Sequence, residues 1–353
     1  MKRRALAIFE TSLGLDHPNV VASLNNLAQL LQDTNRLTEA EPLMRRALAI
    51  DEASLGPDHP NVAIRLNNLA ALLIQDTNRL AEAEPLLCRA LAIDETSLGP
   101  NHPNVAIHLN HLAHLLKATN RLAEAEPLMR RALAIDESSP GQDHPNVAAS
   151  LNNLALLLLA TNRQGEAEPL IRRALAIDEA RFRPDHPNLA RDLNNLAAVL
   201  QATNRLSEAE PLMRRALAIE ETSRGPDHNY VAINLNNLAQ LLMATNRLAE
   251  AEQLMRRALA IGESSHGPDH PNVAIRLNNL ARLLQDTNRL AEAEPMIRRA
   301  LGIYLSFEHA TGHAHPNLKD AIARFRAIFA ALGRGRGGFR LALAAARRDA
   351  GLP

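Results

Sequence analysis

The 353-residue chain has no tryptophan, two tyrosines and six phenylalanines, so aromatic rings account for 2% of it. Apolar residues nevertheless reach 46%, and a core must therefore be built from Leu, Ala, Ile and Met. One cysteine, Cys88, excludes an internal disulfide framework. Neither sign of charge is in excess, with Lys plus Arg and Asp plus Glu both at 39, so no long basic field exists to attract nucleic acid or a membrane surface. A signal-peptide pattern and a run of about 18 apolar residues are both missing. These absences point to a reducing, cytoplasmic setting. No set of nucleophile, base and orienting group stands out, so neither an enzyme nor a bound cofactor is expected.

What the chain does have is repetition. GPDHPNVAIRLNNLA occupies residues 56–70 and returns letter for letter at 267–281. The triplet His-Pro-Asn or a close variant begins at His17, His59, His102, His144, His186, His228, His270 and His315, in steps of 42, 43, 42, 42, 42, 42 and 45. A period that runs through nearly the whole chain favours one continuous array over separate globular domains.

Each unit reads as two helices. Leu66, Leu69, Ala70 and Leu73 recur at i, i+3, i+4 and i+7, which puts them on one face of a first helix. Pro60 suits its first turn, and His59 before it is biased toward the extended conformation of an N-cap. Leu122, Ala125, Met129, Ala132 and Leu133 mark a second helix in the next unit, joined through the short ATNR link, where Asn120 tolerates the left-handed geometry of a helix end. Neither helix can bury its stripe alone, so successive antiparallel pairs must stack, giving a right-handed α-solenoid. Proline inside the AEPL phrase, from Pro42 to Pro295, predicts a slight kink or a delayed start of the second helix. The extra residue near Ile74 predicts a π-type bulge between Leu73 and Asn78.

Leu24, Leu27, Ala28 and Leu31, followed by Ala40 and Met44, fall at the spacings of the tetratricopeptide repeat, with Asn35 where that family often has Gly. The 42-residue length and the surplus after the second helix resemble the kinesin light chain type of that repeat. The large aromatics of the general pattern are Leu and Met here, and no heptad coiled coil is present. On this resemblance residues 1–16 form a partial half repeat, 17–317 seven tandem pairs, and 318–353 divergent capping helices. The opening KRRALAI, half a unit, suggests a trimmed array.

The resemblance implies a scaffold that binds a peptide or protein in its groove, with Asn25, Asn67, Asn110, Asn152, Asn194, Asn236 and Asn278 holding the bound backbone. The second amide series, Asn26 to Asn279, is expected to bond within the fold, while Gln29, Ala71, His114, Leu156, Ala198, Gln240 and Arg282 vary and would set selectivity. A second reading makes the chain the sensor arm of a larger signalling protein.

Other candidates have plainer explanations. The repeated His are caps rather than metal ligands, because copies one unit apart lie on the order of 10 Å from one another, by the usual helix-packing distance. His108, His111 and His114 share one side of a helix and read as an exposed, titrating patch. Arg pairs such as Arg130–Arg131 follow Glu residues and read as a neutralised face. Cys88 replaces the first Arg of such a pair, which places it on the surface. From Leu318 onward eight Lys or Arg stand against two Asp, the one charge asymmetry in the chain.

Overall fold

The computed structural model describes residues 2–15, 17–33, 36–75, 79–138, 141, 143–311 and 314–352. Among these there are seventeen α-helices and no strand. The chain divides into two compact units, Met1–Ile177 and Asp178–Pro353.

The first unit contains α1 (Lys2–Leu13), α2 (Pro18–Asp33), α3 (Leu37–Leu55), α4 (Pro60–Gln75), α5 (Leu80–Ser97), α6 (Pro103–Ala118), α7 (Leu122–Ser138), α8 (Pro145–Ala160) and most of α9 (Gln164–Arg181). The second contains α10 (Pro187–Ala202), α11 (Leu206–Arg224), α12 (Asn229–Ala244), α13 (Leu248–His266), α14 (Pro271–Asp286), α15 (Leu290–Thr311), α16 (Leu318–Ala331) and α17 (Gly335–Asp349). Even-numbered helices from α2 to α14 are the first members of the pairs.

Every His-Pro-Asn signal does the same local work. Nδ1 of His17, His59, His102, His144, His186, His228, His270 and His315 accepts the N–H two residues on, at 3.1–3.3 Å. At His102 the backbone is extended, φ −72 and ψ 143, and Pro103 opens the helix. A ring nitrogen that accepts must be unprotonated, so each cap uses the neutral imidazole.

The first helices end as the ATNR link predicts. Asn120, Asn162, Asn204, Asn246 and Asn288 all have φ between 57 and 62. The following Arg N–H reaches back to close the last turn, as Arg121 does to the Leu116 carbonyl at 2.8 Å. Asn35 and Asn78, and the end of the stretch expected to bulge after Ile74, lie outside the described residues. The second helices start well before their prolines: α3 begins at Leu37 and runs through Pro42, so the start is not delayed and one ladder bond is missing instead.

Between the helices the core repeats in small blocks. Val62, Ala63, Leu66, Ala90 and Ile93 form one, with Leu48 and Leu86 packed on it. Val105, Ala106, Leu109, Ala132 and Ile135 form the next, with Leu91 and Leu128. The second unit repeats the pattern with Val231, Ala232, Leu235, Ala258 and Ile261. One residue of each block's flank, Leu48 or Leu91, comes from the preceding second helix, so no pair completes its core alone. Burying each such Leu or Ile is worth about 1.5–3 kcal/mol. The scarce aromatics concentrate in the last helices, where Phe325 meets Phe329 at 4.6 Å and Phe339 at 5.8 Å between ring centroids.

Candidate functional site

The first helices present a stripe that the core does not use. Ile64, Ile107 and Ile233 are exposed there at 38, 44 and 41%. Between neighbouring first helices this stripe encloses pockets. One, of about 350 Å³ in the first unit, is lined by Ile107, Asn110, His111, His114, Asp136, Asn146, Ala149 and Asn153. Another, of about 190 Å³ in the second unit, is lined by Ala232, Ile233, Asn236, Asn272, Ile275 and Arg276.

The amides expected to bind a peptide are distributed unevenly. Asn110 and Asn236 line these pockets, whereas Asn67 and Asn152 are in the core at 7 and 2% exposure. Asn25, Asn194 and Asn278 are half-buried. Most have partners inside the protein. Asn67 Oδ1 lies 3.2 Å from His108 Nδ1 and 2.6 Å from His111 Nδ1. Asn110 donates to Ser150 Oγ at 3.0 Å, Asn152 to the Ala148 carbonyl at 3.0 Å, and Asn194 to the Ala190 carbonyl at 2.9 Å. Asn236 accepts from Asn279 at 2.9 Å and Asn278 from Arg324 Nε at 3.1 Å. Bonding within the fold is therefore not confined to the second series, whose Asn26 is exposed.

The structure adds a feature that repeat counting overlooks: one buried polar rung per unit. Near the ends of α3, α5, α7, α9 and α11 an acid stands fourteen places before a polar residue of the next first helix, and in α13 a glycine takes the acid's place. Asp51 accepts from Arg65 Nε at 2.8 Å, Asp94 lies 2.9 Å from His108 Nε2, and Asp136 accepts from Ser150 Oγ at 2.6 Å. At the next rung Asp178 and Asp192 are both fully buried, and Arg191 bridges them at 3.3 and 3.0 Å. Burial raises the pKa of both acids and pushes Asp192 up to about 7, with Asp178 adding to the rise and Arg191 opposing it. Next come the buried Glu220, which pairs with Arg224, and the buried Asn234, which donates to the Tyr230 carbonyl; last, Gly262 leaves its space to Arg276. The signal was present in the sequence as the one polar letter that changes from unit to unit just before Leu-Asn-Asn.

These rungs correct the reading of the His trio. His108 is 2% exposed and belongs to a rung, and His111 is half-buried; only His114 is exposed. Burial lowers the pKa of His108, against the pull of Asp94, and also that of His111. The trio is not one exposed titrating patch, because the helix turns the first imidazole into the core.

The Arg pairs form the neutralised face expected of them, by a route only half foreseen. The first Arg bonds within its helix, as Arg130 does to Glu126 and Arg172 to Glu168. The second reaches the preceding second helix: Arg89 to Glu52, Arg131 to Glu95, Arg173 to Glu137 and Arg257 to Glu221, each at 2.5–2.6 Å. The Arg of the ATNR link adds a second clasp, Arg121 holding Glu124 and Glu84 and Arg163 holding Glu166 and Glu126. Cys88 is exposed, and burial with nearby Glu84 raises its pKa, the opposite of an activated thiol.

A chain made of capped helix pairs, each completing its neighbour's core, is an all-α solenoid. The tetratricopeptide repeat profile matches it seven times, over residues 1–53, 24–96, 66–138, 104–180, 166–222, 190–263 and 230–306, and the chain belongs to that family. Its 42-residue period is the feature on which it resembles the kinesin light chain type of that repeat. Among solved structures it is similar to a variant of a Podosopora anserina kinesin light chain of nearly identical TPR-like repeats, at 24% identity and a TM-score of 0.51, covering 59% of this chain and 98% of that one. It is also similar to BtubC (BKLC) from P. vanneervenii, at 23% identity and a TM-score of 0.51, covering 72% of this chain and 94% of that one. These likenesses bear on the fold alone. A search of curated proteins finds no match. Tetratricopeptide repeats typically serve as protein-interaction scaffolds. No helix among the described residues is long and apolar enough to cross a membrane.

Proposed function

We propose that the chain is a cytoplasmic, non-enzymatic scaffold that binds an extended peptide or protein segment along the stripe of its first helices. The observation that carries this reading is the pair of pockets between neighbouring first helices, each combining an exposed Ile with amides. Apolar area supplies affinity there, and Asn110 and Asn236 can donate to and accept from a peptide backbone. The half-buried Asn25, Asn194 and Asn278 extend the ladder, whereas Asn67 and Asn152, expected to belong to it, are in the core and cannot hold a bound backbone.

Selection of binding peptides from a displayed library gives the test. Ile107→Lys and Ile233→Lys change exposed side chains, so both variants should keep the melting temperature and lose at least tenfold in affinity. Asn110→Ala and Asn236→Ala should each weaken binding by about 0.5–1.5 kcal/mol, the net worth of one hydrogen bond. Peptides that bind all four variants as well as the parent would rule the site out.

A further inference from the structure

The two copies of GPDHPNVAIRLNNLA place the same arginine in different company. Arg65 has its counter-ion in Asp51 at 2.8 Å. Arg276 is more deeply buried, at 6% exposure, and the residue fourteen places before it is Gly262. Its guanidinium occupies the space of the missing side chain: a Cβ on Gly262 would stand 2.9 Å from Arg276 Nη1. Its two partners are neutral, the Asn272 carbonyl at 3.1 Å and Asn229 Oδ1 at 2.8 Å. The acid of the preceding rung, Glu220, is engaged by Arg224 at 2.9 Å. Among the described residues no carboxylate pairs with Arg276.

A guanidinium has five N–H donors, and two are accounted for. Taking an unpaired charge out of water costs several kcal/mol, which a counter-ion offsets. Burial lowers the pKa of Arg276, yet an arginine starts high enough to stay charged at neutral pH. Arg276 also lines a pocket. The 190 Å³ cavity lined by Arg276, Asn236, Asn272 and the apolar flank of Ala232, Ile233 and Ile275 is large enough for one small anion or one side chain.

We infer that Arg276, with Asn236 and Asn272, forms a site for a single carboxylate supplied from outside the chain, which enters from the pocket and serves Arg276 as the counter-ion that Asp51 is to Arg65. The apolar flank favours a carboxylate carrying a short alkyl stem over a bare inorganic anion. Two sources share this chemistry: a free small carboxylate, and the side chain of an acidic residue in a bound segment. The site goes beyond the scaffold reading, since the free-carboxylate arm needs no peptide partner.

The full chain is melted in sodium acetate and in sodium chloride at equal ionic strength. A ligand bound only to the folded state raises the melting point, and acetate at about ten times its Kd should add roughly 3–6 °C to the transition of the unit that holds Arg276. Gly262→Asp supplies an internal carboxylate, and the resulting crowding falls on the flexible end of Arg276, so this variant should fold and lose the acetate response. Arg276→Met keeps the side-chain bulk, removes the charge and should also be blind to acetate. Acetyl-Ala-Asp-Ala-amide against acetyl-Ala-Asn-Ala-amide separates the sources. A response to the first tripeptide at tenfold or more lower concentration than acetate assigns the site to a peptide side chain, and equal potency assigns it to free carboxylates. An equal acetate response in the parent, Gly262→Asp and Arg276→Met, or none in the parent, overturns the site.

Discussion

Residues 56–70 and 267–281 have identical letters and identical local structure. His59 and His270 cap both helices through Nδ1 at 3.1 Å, and Leu66 and Leu277 are equally buried at 0%. They differ in the partners of Asn67 and Asn278, and in charge they part company at the arginine. Arg65 is neutralised within the fold and Arg276 is not, because the deciding residue lies on the preceding second helix and differs, Asp51 in one case and Gly262 in the other. Local sequence thus fixes helix, cap and core contact, while the electrostatic character of a unit is set by its neighbour.

The largest expected effect comes from making the first copy resemble the second. Asp51→Ala leaves the half-buried Arg65 without its carboxylate and should lower stability by about 3 kcal/mol, measured by urea unfolding. The same substitution should give the first copy an acetate response it lacks in the parent. A loss below about 1 kcal/mol would mean that the pairing of Arg65 matters little, and the contrast between the copies would collapse.

A second test uses the rung where both members are acids. With the pKa of Asp192 raised to about 7 by burial, the folded chain keeps a proton that the unfolded chain releases near pH 4. Stability from this group is therefore full below about pH 4 and falls as pH rises toward 7. Asp192→Asn removes the titration, and the variant should exceed the parent by roughly 2–4 kcal/mol at pH 8, with the gain vanishing at pH 4. A gain of the same size at both pH values would show that ionisation of the pair is not the cause.

Features common to both copies should respond alike. His59→Ala and His270→Ala each remove a cap acceptor and should cost about 1 kcal/mol in thermal or chemical unfolding. A difference of more than twofold would show that the caps, too, depend on their neighbours. Smallest of all are the clasps: Arg89 bonds Glu52 and the Pro57 carbonyl, and Arg299 bonds Glu263 and the Pro268 carbonyl. Arg89→Met and Arg299→Met should each cost about 0.2–1 kcal/mol in low salt and less in high salt, since exposed ion pairs are screened. An effect that persists in about 1 M salt would assign these arginines a packing role.

The stripe Leu66, Leu69, Ala70 and Leu73 and the left-handed Asn of each link could be read directly, because both depend on residues a turn or less apart. The Asn ladder was legible only as a position. Whether Asn67 points into the core and Asn110 into a pocket depends on His108, His111 and Ser150, which arrive from other units. The titration behaviour of His108 was misread for the same reason: its helical face is visible in the sequence, but Asp94 and the packing that buries it are not.

By itself, then, the sequence determined the period, the helix pairs, the His caps and the family, since each follows from backbone preferences and spacing inside a single unit. Only the tertiary structure decided which polar groups are buried, which acid meets which base across fourteen residues, and that Arg276 has no carboxylate of its own among the described residues. Those outcomes depend on the distance between atoms of successive helices, and desolvation turns a one-letter difference on one helix into an unpaired charge on the next.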